Sequence, residues 1–182
     1  MNKKKTTTYI ISFLIFSLLI ALDQITKVLA VTHLKDQKPI DIIDNVLQLT
    51  YVANTGAAWG LMSGWKIFFI IVTTLMFIAV TFIFIITPIE KKYFSLRAIL
   101  VVLGAGAIGN LIDRVMNGYV HDFIYFEIID FPVFNVADIC VTISMFVLIF
   151  LVIFKFKDND FDYIKDFFNK NKKQEESNEP TE

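Results

Sequence analysis

The chain has 182 residues, 55% of them hydrophobic, with a formal net charge of −1. That balance gives no basic excess for nucleic acid, a single cysteine (Cys140) excludes an intrachain disulfide, and two histidines, His33 and His121, are too few and too far apart in sequence to suggest a metal. The apolar residues come in runs long enough to cross a bilayer, which takes about 20 residues per helix, so one compact membrane domain without metal or cofactor is expected.

The first run spans Tyr9 to Ala30 after the basic start Lys3-Lys4-Lys5. It is long, lacks a small-x-small cleavage pattern and holds Asp23 and Lys27, so it is expected as a retained helix rather than a cleaved leader. The connection Val31 to Gly64 contains Val46-Leu47-Gln48-Leu49-Thr50-Tyr51-Val52, partly alternating and β-branched, which predicts short strand structure on the membrane surface. After it comes Asn54-Thr55-Gly56-Ala57-Ala58-Trp59-Gly60, whose plain reading is a turn with an interfacial tryptophan. A second span runs from Trp65 to Pro88 and a third from Leu96 to Arg114. Gly104, Ala105, Gly106, Ala107 and Gly109 give the third a small-residue surface that lets another helix approach. The fourth span, Ala137 to Phe156, follows Asn135 and includes Asp138, placed as an N-cap and an N3 acid. Residues 158–182 read as a charged, largely disordered tail, with Phe161, Tyr163, Ile164, Phe167 and Phe168 able to hold its start at the interface. The expected architecture is an all-α membrane protein, a four-transmembrane-helix bundle over residues 1–157 with a small extracytoplasmic β-rich segment in the first outer connection.

Lysine and arginine placement sets the expected orientation. Lys3 to Lys5, Lys91, Lys92, Arg97, Lys155 and Lys157 flank one side, whereas Val115 to Val136 contains neither lysine nor arginine. Both termini are therefore expected in the cytoplasm. Threading the spans alternately then brings Asp23, Lys27, Asn54 to Gly60, Asn110, Asp113, Arg114, Asp122, Asn135 and Asp138 to one depth, in the outer leaflet.

Charges at that depth normally face a bundle interior or a water-filled cavity. Asp23 and Lys27, four apart, share a helix face and read as a structural ion pair. Asn110, Asp113 and Arg114 share another face, and Asp113 can be neutralised by Arg114 or Asn110. Capping explains Asn135 and Asp138 as readily as catalysis does, Cys140 reads as a small apolar residue, and His121 as an interfacial side chain. A pocket holding several carboxylates nevertheless has a chemistry: two close together cannot both ionise easily, so one keeps a proton while the other activates water. Asparagine amides nearby could donate to a developing oxyanion. A proton-coupled transporter and a non-catalytic lipid-binding scaffold are the rival readings; the first predicts a polar trail across the bilayer, the second predicts carboxylates that can be replaced without loss.

Five blocks carry a resemblance. Asp23-Gln24-Ile25-Thr26-Lys27, Asn54 to Gly60, Gly109-Asn110-Leu111-Ile112-Asp113-Arg114, Val120-His121-Asp122-Phe123 and Phe134-Asn135-Val136-Ala137-Asp138, in this order, resemble the signature blocks of bacterial lipoprotein signal peptidase, or signal peptidase II. The resemblance implies an intramembrane aspartyl endopeptidase of the bacterial cell membrane that cleaves lipid-modified prolipoproteins just before the diacylglyceryl cysteine. It implies Asp122 and Asp138 as the catalytic pair, a choice spacing alone does not make over Asp113. It also implies lining or bracing roles for Asn54, Gly56, Asn110, Arg114, Asn135, Ala137, Asp23, Lys27 and Asp113. Asn54 and Asn135 are expected near the scissile bond, and Gly56 with the two alanines after it leaves room for the substrate backbone. Membrane phospholipid surrounds such an enzyme, and a monomer is expected. His121 stands where the family commonly has an apolar residue; protonated beside Asp122, it would depress that carboxyl's pKa and weaken activity in acid.

Overall fold

A computed structural model describes residues 3–56 and 64–178. Four helical segments are long and apolar enough to cross a membrane: Lys5–Leu34, Lys66–Ile86, Lys91–Met116 and Val136–Lys155. The chain is thus a multi-pass membrane protein. The helices are α1 (Lys3–Leu34), α2 (Lys66–Ile86), α3 (Phe94–Met116) and α4 (Val136–Phe150), the last continuing as a π-helical turn over Leu151–Lys155. The largest departure from the expected ends is at α1, which starts at Lys3 and continues to Leu34. Its 32 residues rise about 48 Å, well beyond the ~30 Å hydrocarbon layer, because a helix continues through polar residues once its interior bonds are propagated.

Helix α3 forms the centre. Leu96, Leu100, Leu103, Ala107 and Asn110 are among its buried residues, a repeat of three and four that marks one inward face. Its small residues let α4 and α1 come close. A Cβ on Gly106 would sit 2.6 Å from the Ala137 carbonyl oxygen and 2.9 Å from Val141. Every residue of α2, in contrast, is at least partly exposed, as suits a helix at the lipid-facing edge of the bundle.

Over one end of the bundle lies a three-stranded antiparallel sheet in the order β1 (Ile40–Ile43), β2 (Leu47–Asn54), β3 (Val120–Phe126). Strands β1 and β2 occupy the connection where strand structure is expected. Strand β3 does not; it comes from the connection before α4, and its partner β2 is far away in the chain. Leu49 pairs with Ile124 and Val52 with Asp122, so Thr50 and Tyr51 oppose Phe123 in a β-bulge. Beneath the sheet, Ala30, Leu34 and Phe123 are buried with Leu49, Tyr51, Ile124 and Val136 against them.

The opposite end closes on Tyr93, Leu96, Leu100, Leu151 and Phe156, with Phe161 and Tyr163 packed against them. A 3₁₀ turn over Asp158–Phe161 leads into α5, Asp162–Asn178. The aromatic residues of its start find partners: the Phe167 and Phe168 rings pack on Phe82, Tyr93 donates to the Asp160 carbonyl at 2.9 Å, and Lys92 pairs with Asp160. Charge composition alone hides this segment's apolar face.

Candidate active site

Spacing places Asp23 and Lys27 one turn apart on α1, and their face turns inward with Ala30 and Leu34 below the sheet. Lys27 is only 1% exposed, so its ammonium must be fully paired to exist there. It is: Nζ lies 2.9 Å from Asp23 Oδ2, 3.0 Å from Asp113 Oδ2 on α3, and donates to Asn110 Oδ1 at 3.0 Å. Asp113 thus pairs with Lys27 rather than with Arg114, because consecutive residues in a helix point about a quarter-turn apart, while Asn110, three residues back on the same face, meets the same ammonium. Gln24, for which the sequence suggests no role, cross-braces the cluster: its amide donates to Asp23 at 3.0 Å, the Gly109 carbonyl at 3.1 Å and Asp113 at 3.3 Å. Its place one residue after Asp23, on the flank of the same face, is the only signal it offers.

Gly109 makes this close packing possible. A Cβ there would lie 2.5 Å from Asp23 Oδ2 and 3.1 Å from the Ala137 Cβ. Gly109→Ala is expected to destabilise the protein by about 1–3 kcal/mol, read as a lower thermal unfolding midpoint in detergent, whereas Gly104→Ala, whose Cβ would meet nothing closer than 3.5 Å, is not.

Beside the cluster sits a second set of groups. Asn135 caps α4: its Oδ1 accepts from the Asp138 N–H at 3.0 Å, and the Asp138 carboxylate accepts from the Asn135 N–H at 3.1 Å, a complete capping box. Capping fixes which way the Asn135 amide points. Both hydrogens of its Nδ2 are directed away from the helix, to Asp122 Oδ1 at 2.6 Å and Asn110 Oδ1 at 3.1 Å. Asn110 is oriented in the same manner. Its Oδ1 faces Lys27, so its Nδ2 donates to Asp138 Oδ1 at 2.7 Å. Asn54, diagonal to Asp122 across β2 and β3, donates from Nδ2 to Asp122 Oδ2 at 2.8 Å, while its own Oδ1 accepts from the Gly56 N–H at 3.0 Å.

Every residue of the five blocks that the structure describes is therefore drawn to one end of the bundle, and Asp122 and Asp138 join through amides rather than through cations. Asp122 is buried, and its pKa is pushed up to about 7, first by burial and then by the facing charge of Asp138, against the opposing donors Asn54 and Asn135. Both aspartates open onto a cleft of about 510 Å³, with Asn54, Gly56 and Arg114 at its polar end and Phe126, Phe131, Phe134, Ile139 and Ile143 among its apolar walls. The Arg114 guanidinium stacks over Phe69 at 5.1 Å. Ala57, Ala58, Trp59 and Gly60 lie outside the described residues.

Asn135, expected near the scissile bond, is 0% exposed, and both hydrogens of its Nδ2 go to Asp122 and Asn110. Strand alternation turns His121 to the face opposite Asp122: its ring meets the Tyr51 hydroxyl at 2.8 Å and the Asn117 amide at 3.2 Å. Burial pushes the His121 pKa down, so a cation beside Asp122 is not what this histidine supplies.

Four helices long and apolar enough to cross a membrane, with two aspartates at the mouth of an apolar cleft, define a multi-pass membrane protein with a polar pocket at one end of its bundle. The comparisons with known proteins specify the class. A family model described as signal peptidase (SPase) II matches residues 15–154. The chain is 41% identical to a lipoprotein signal peptidase of Brevibacillus brevis, over 81% of this chain and 97% of that protein. It is 39% identical to one of Staphylococcus aureus over 83% and 92%, and 36% identical to one of Enterococcus faecalis over 81% and 91%. Two solved bacterial membrane enzymes superpose with TM-scores of 0.70 and 0.68 at 38% and 37% identity, covering 78% and 80% of this chain and 86% and 94% of theirs. This chain belongs to the signal peptidase II family, and it is a peptidase of the membrane.

Proposed function

We propose that the protein is an intramembrane aspartyl endopeptidase that removes signal peptides from diacylglyceryl-modified prolipoproteins, cutting just before the lipid-modified cysteine, with Asp122 and Asp138 as the catalytic pair. The observation that carries this reading is the meeting of these two carboxyls at the polar end of one apolar cleft, each held by amide donors. The names of the relatives support the substrate class.

Between two such carboxyls one proton is shared, and in this reading it rests on Asp122, whose pKa burial and the charge of Asp138 push up to about 7. Asp138, ionised and fixed by Asn110, takes a proton from a water as that water's oxygen attacks the scissile carbonyl carbon. Asp122 gives its proton to the carbonyl oxygen. Collapse of the tetrahedral species breaks the C–N bond, the proton held by Asp138 passes to the leaving amine, and the hydroxyl proton returns to Asp122. Asn54 and Arg114, both at the cleft, hold the substrate backbone there. The walls along α4 and the segment Phe131 to Phe134 take up acyl chain and apolar signal-peptide side chains. In this reading residues 1–157 are the peptidase domain, both termini are cytoplasmic, the cleft opens near the outer face among the phospholipids, and one chain suffices. The transporter reading is disfavoured because the buried carboxylate cluster of the described residues is confined to one end of the bundle.

The testing experiment is incubation of the purified protein in detergent with a diacylglyceryl-modified prolipoprotein and its unmodified form, with EDTA present and products read by mass. Cutting of the lipidated form alone, just before the modified cysteine, supports the reading. An intact lipidated substrate, or a cut elsewhere, overturns it.

A pH dependence follows from Asp122. A group with a raised pKa keeps its proton below that value and loses it above. Since Asp122 must be protonated to act as the acid, kcat/KM is expected to fall on the alkaline side with a midpoint near 7. Asn54 donates to the ionised carboxylate and so opposes protonation. Asn54→Ala removes that donor and is expected to move the alkaline limb upward by about one pH unit, measured as kcat/KM against pH.

A further inference from the structure

At the end of the bundle opposite the aspartates, Arg97 stands in the first turn of α3 and is 5% exposed. Its Nη1 donates to the carbonyls of Phe84 and Thr87, both at 2.8 Å, and so closes the last turn of α2. The rings of Phe84 and Tyr9 lie 4.1 and 5.4 Å from the guanidinium carbon. Aromatic faces offset the charge but give the N–H groups of the planar fork no acceptor. Nε and Nη2 have no hydrogen-bond partner among the described residues. A buried donor left so calls for an acceptor from outside the chain, a water or an anion.

Arg97 also lines a groove of about 440 Å³ between α1 and α3. Ile11 and Ile15 form one wall, Ala98 and Val102 the other, and Glu90 and Lys91 stand at the turn before α3. Ile11, Ile15 and Ala98 are exposed, so the groove lies open to the hydrocarbon around the spans. Its charged end is cationic, Lys91 and Arg97 outweighing Glu90, and Lys5 lines the neighbouring cavity that shares Ile89. A water would satisfy the N–H groups but leave the aliphatic walls and the cationic end unexplained. A free anion has no use for the walls, and a bare hydrocarbon chain has none for the guanidinium. A phosphate carried on acyl chains uses both, and the guanidinium fork matches phosphate oxygens.

We propose that this groove is a binding site for one phospholipid, its phosphate on Arg97 and Lys91 and an acyl chain along Ile11, Ile15, Ala98 and Val102. As the side chain stands, Nε and Nη2 are closed to water. A turn of the guanidinium about the bonds of Nη1 brings them to the phosphate, and such side-chain adjustment is common on binding. The groove shares no lining residue with the aspartate cleft, so the proposal holds whichever chemistry that cleft performs.

The test is native mass spectrometry of the full chain in detergent. It is titrated with dioleoyl phosphatidylglycerol, with dioleoylglycerol, which keeps the chains and lacks the phosphate, and with inorganic phosphate as a competitor. Wild type is expected to retain one phosphatidylglycerol at concentrations where dioleoylglycerol is lost, and inorganic phosphate should not displace it. Arg97→Gln removes the charge from the donors and is expected to weaken retention about 10-fold or more. Should that variant not fold, since Arg97 also closes α2, Ala98→Phe decides the matter. It fills the groove from an exposed position, so it is expected to pass gel filtration as wild type does and to lose the bound lipid. The aspartate cleft is untouched by it, so a lipid lost there was not seated in that cleft. Unaltered retention by Ala98→Phe or by folded Arg97→Gln would overturn the proposal, as would equal retention of dioleoylglycerol. Displacement by inorganic phosphate would make the site one for a free anion and overturn it too.

Discussion

Asp138→Asn and Asp122→Asn are each expected to lower kcat by about 10³-fold or more, the upper part of the range for loss of a positioned acid or base. Asparagine keeps the shape of aspartate and can neither take the proton of an attacking water nor pass one to the carbonyl oxygen. The surroundings sharpen the effect. Asp138 accepts from Asn110 Nδ2 and from the Asn135 N–H. Asp122 accepts from Asn54 and Asn135. Both oxygens of each carboxyl thus face donors, so an introduced NH₂ must turn toward one of them. One bond is lost and one donor left unmatched, a cost of about 1–3 kcal/mol in a buried site. Both variants should therefore unfold at lower temperature than wild type, and their rates are to be normalised to folded protein. Asp113→Asn offers a contrast: it too leaves a donor unmatched, since Gln24 meets one oxygen and Lys27 with the His121 N–H the other, yet both dyad carboxyls remain, so more activity should survive than in either dyad variant. A dyad variant with wild-type kcat would contradict the assignment.

Asn110→Asp is expected to damage the site almost as severely. Asn110 is the only side chain of the described residues seen to touch both Lys27 and Asp138. As a carboxylate it could still receive Lys27 at one oxygen. The other oxygen would lie where a donor now stands 2.7 Å from Asp138 Oδ1. Two carboxylate oxygens at that distance cannot both be ionised in a buried site, so a proton must be held between them, and Asp138 ceases to be a free base. Activity should fall by roughly 10²-fold or more at neutral pH. The fall reflects a base blocked by protonation, and Asn110→Leu separates this from the loss of a donor. Leucine abolishes the donor without adding a carboxyl, so its profile should shift by only about one pH unit, the size of one lost donor, and keep a free base at neutral pH. A kcat/KM profile over the active range, run on both variants, checks the difference. Equal profiles would remove the blocked-base explanation.

Much of the fold is legible from residue type alone, for reasons that differ between elements. The spans are read from apolar length, a property of each segment by itself, and the capping box at Asn135 and Asp138 from spacing within four residues. The shared depth of the polar residues follows from threading those spans, and it points to one end of the bundle, where the structure also places them. What escapes is whatever depends on a partner elsewhere in the chain. Val120 to Phe126 has the β-branched and aromatic content of a strand, yet it becomes β3 only because β2 lies alongside. The same pairing, through its alternation, sends His121 away from Asp122, a separation that adjacency in sequence conceals. Asp113 sits next to Arg114 in sequence and across from Lys27 in space, since helix geometry sends consecutive side chains in different directions. The tail reads as charged on average, while Phe167 and Phe168 find Phe82. Gln24 belongs to the same class: nothing in its own neighbourhood reveals a contact with Gly109 on another helix.

The proposed mechanism requires that Asp122 and Asp138 hold one proton between them and that Asp122 carries it near neutral pH. Infrared difference spectroscopy of the purified protein, stepped from mildly acidic to mildly alkaline buffer, reads that proton as the carbonyl stretch of a protonated carboxyl. The expected result is a band that disappears with a midpoint near 7 in wild type and is missing over the same range in Asp122→Asn. A wild-type protein with no carboxyl titrating in that range, or the same band persisting in Asp122→Asn, would contradict the mechanism.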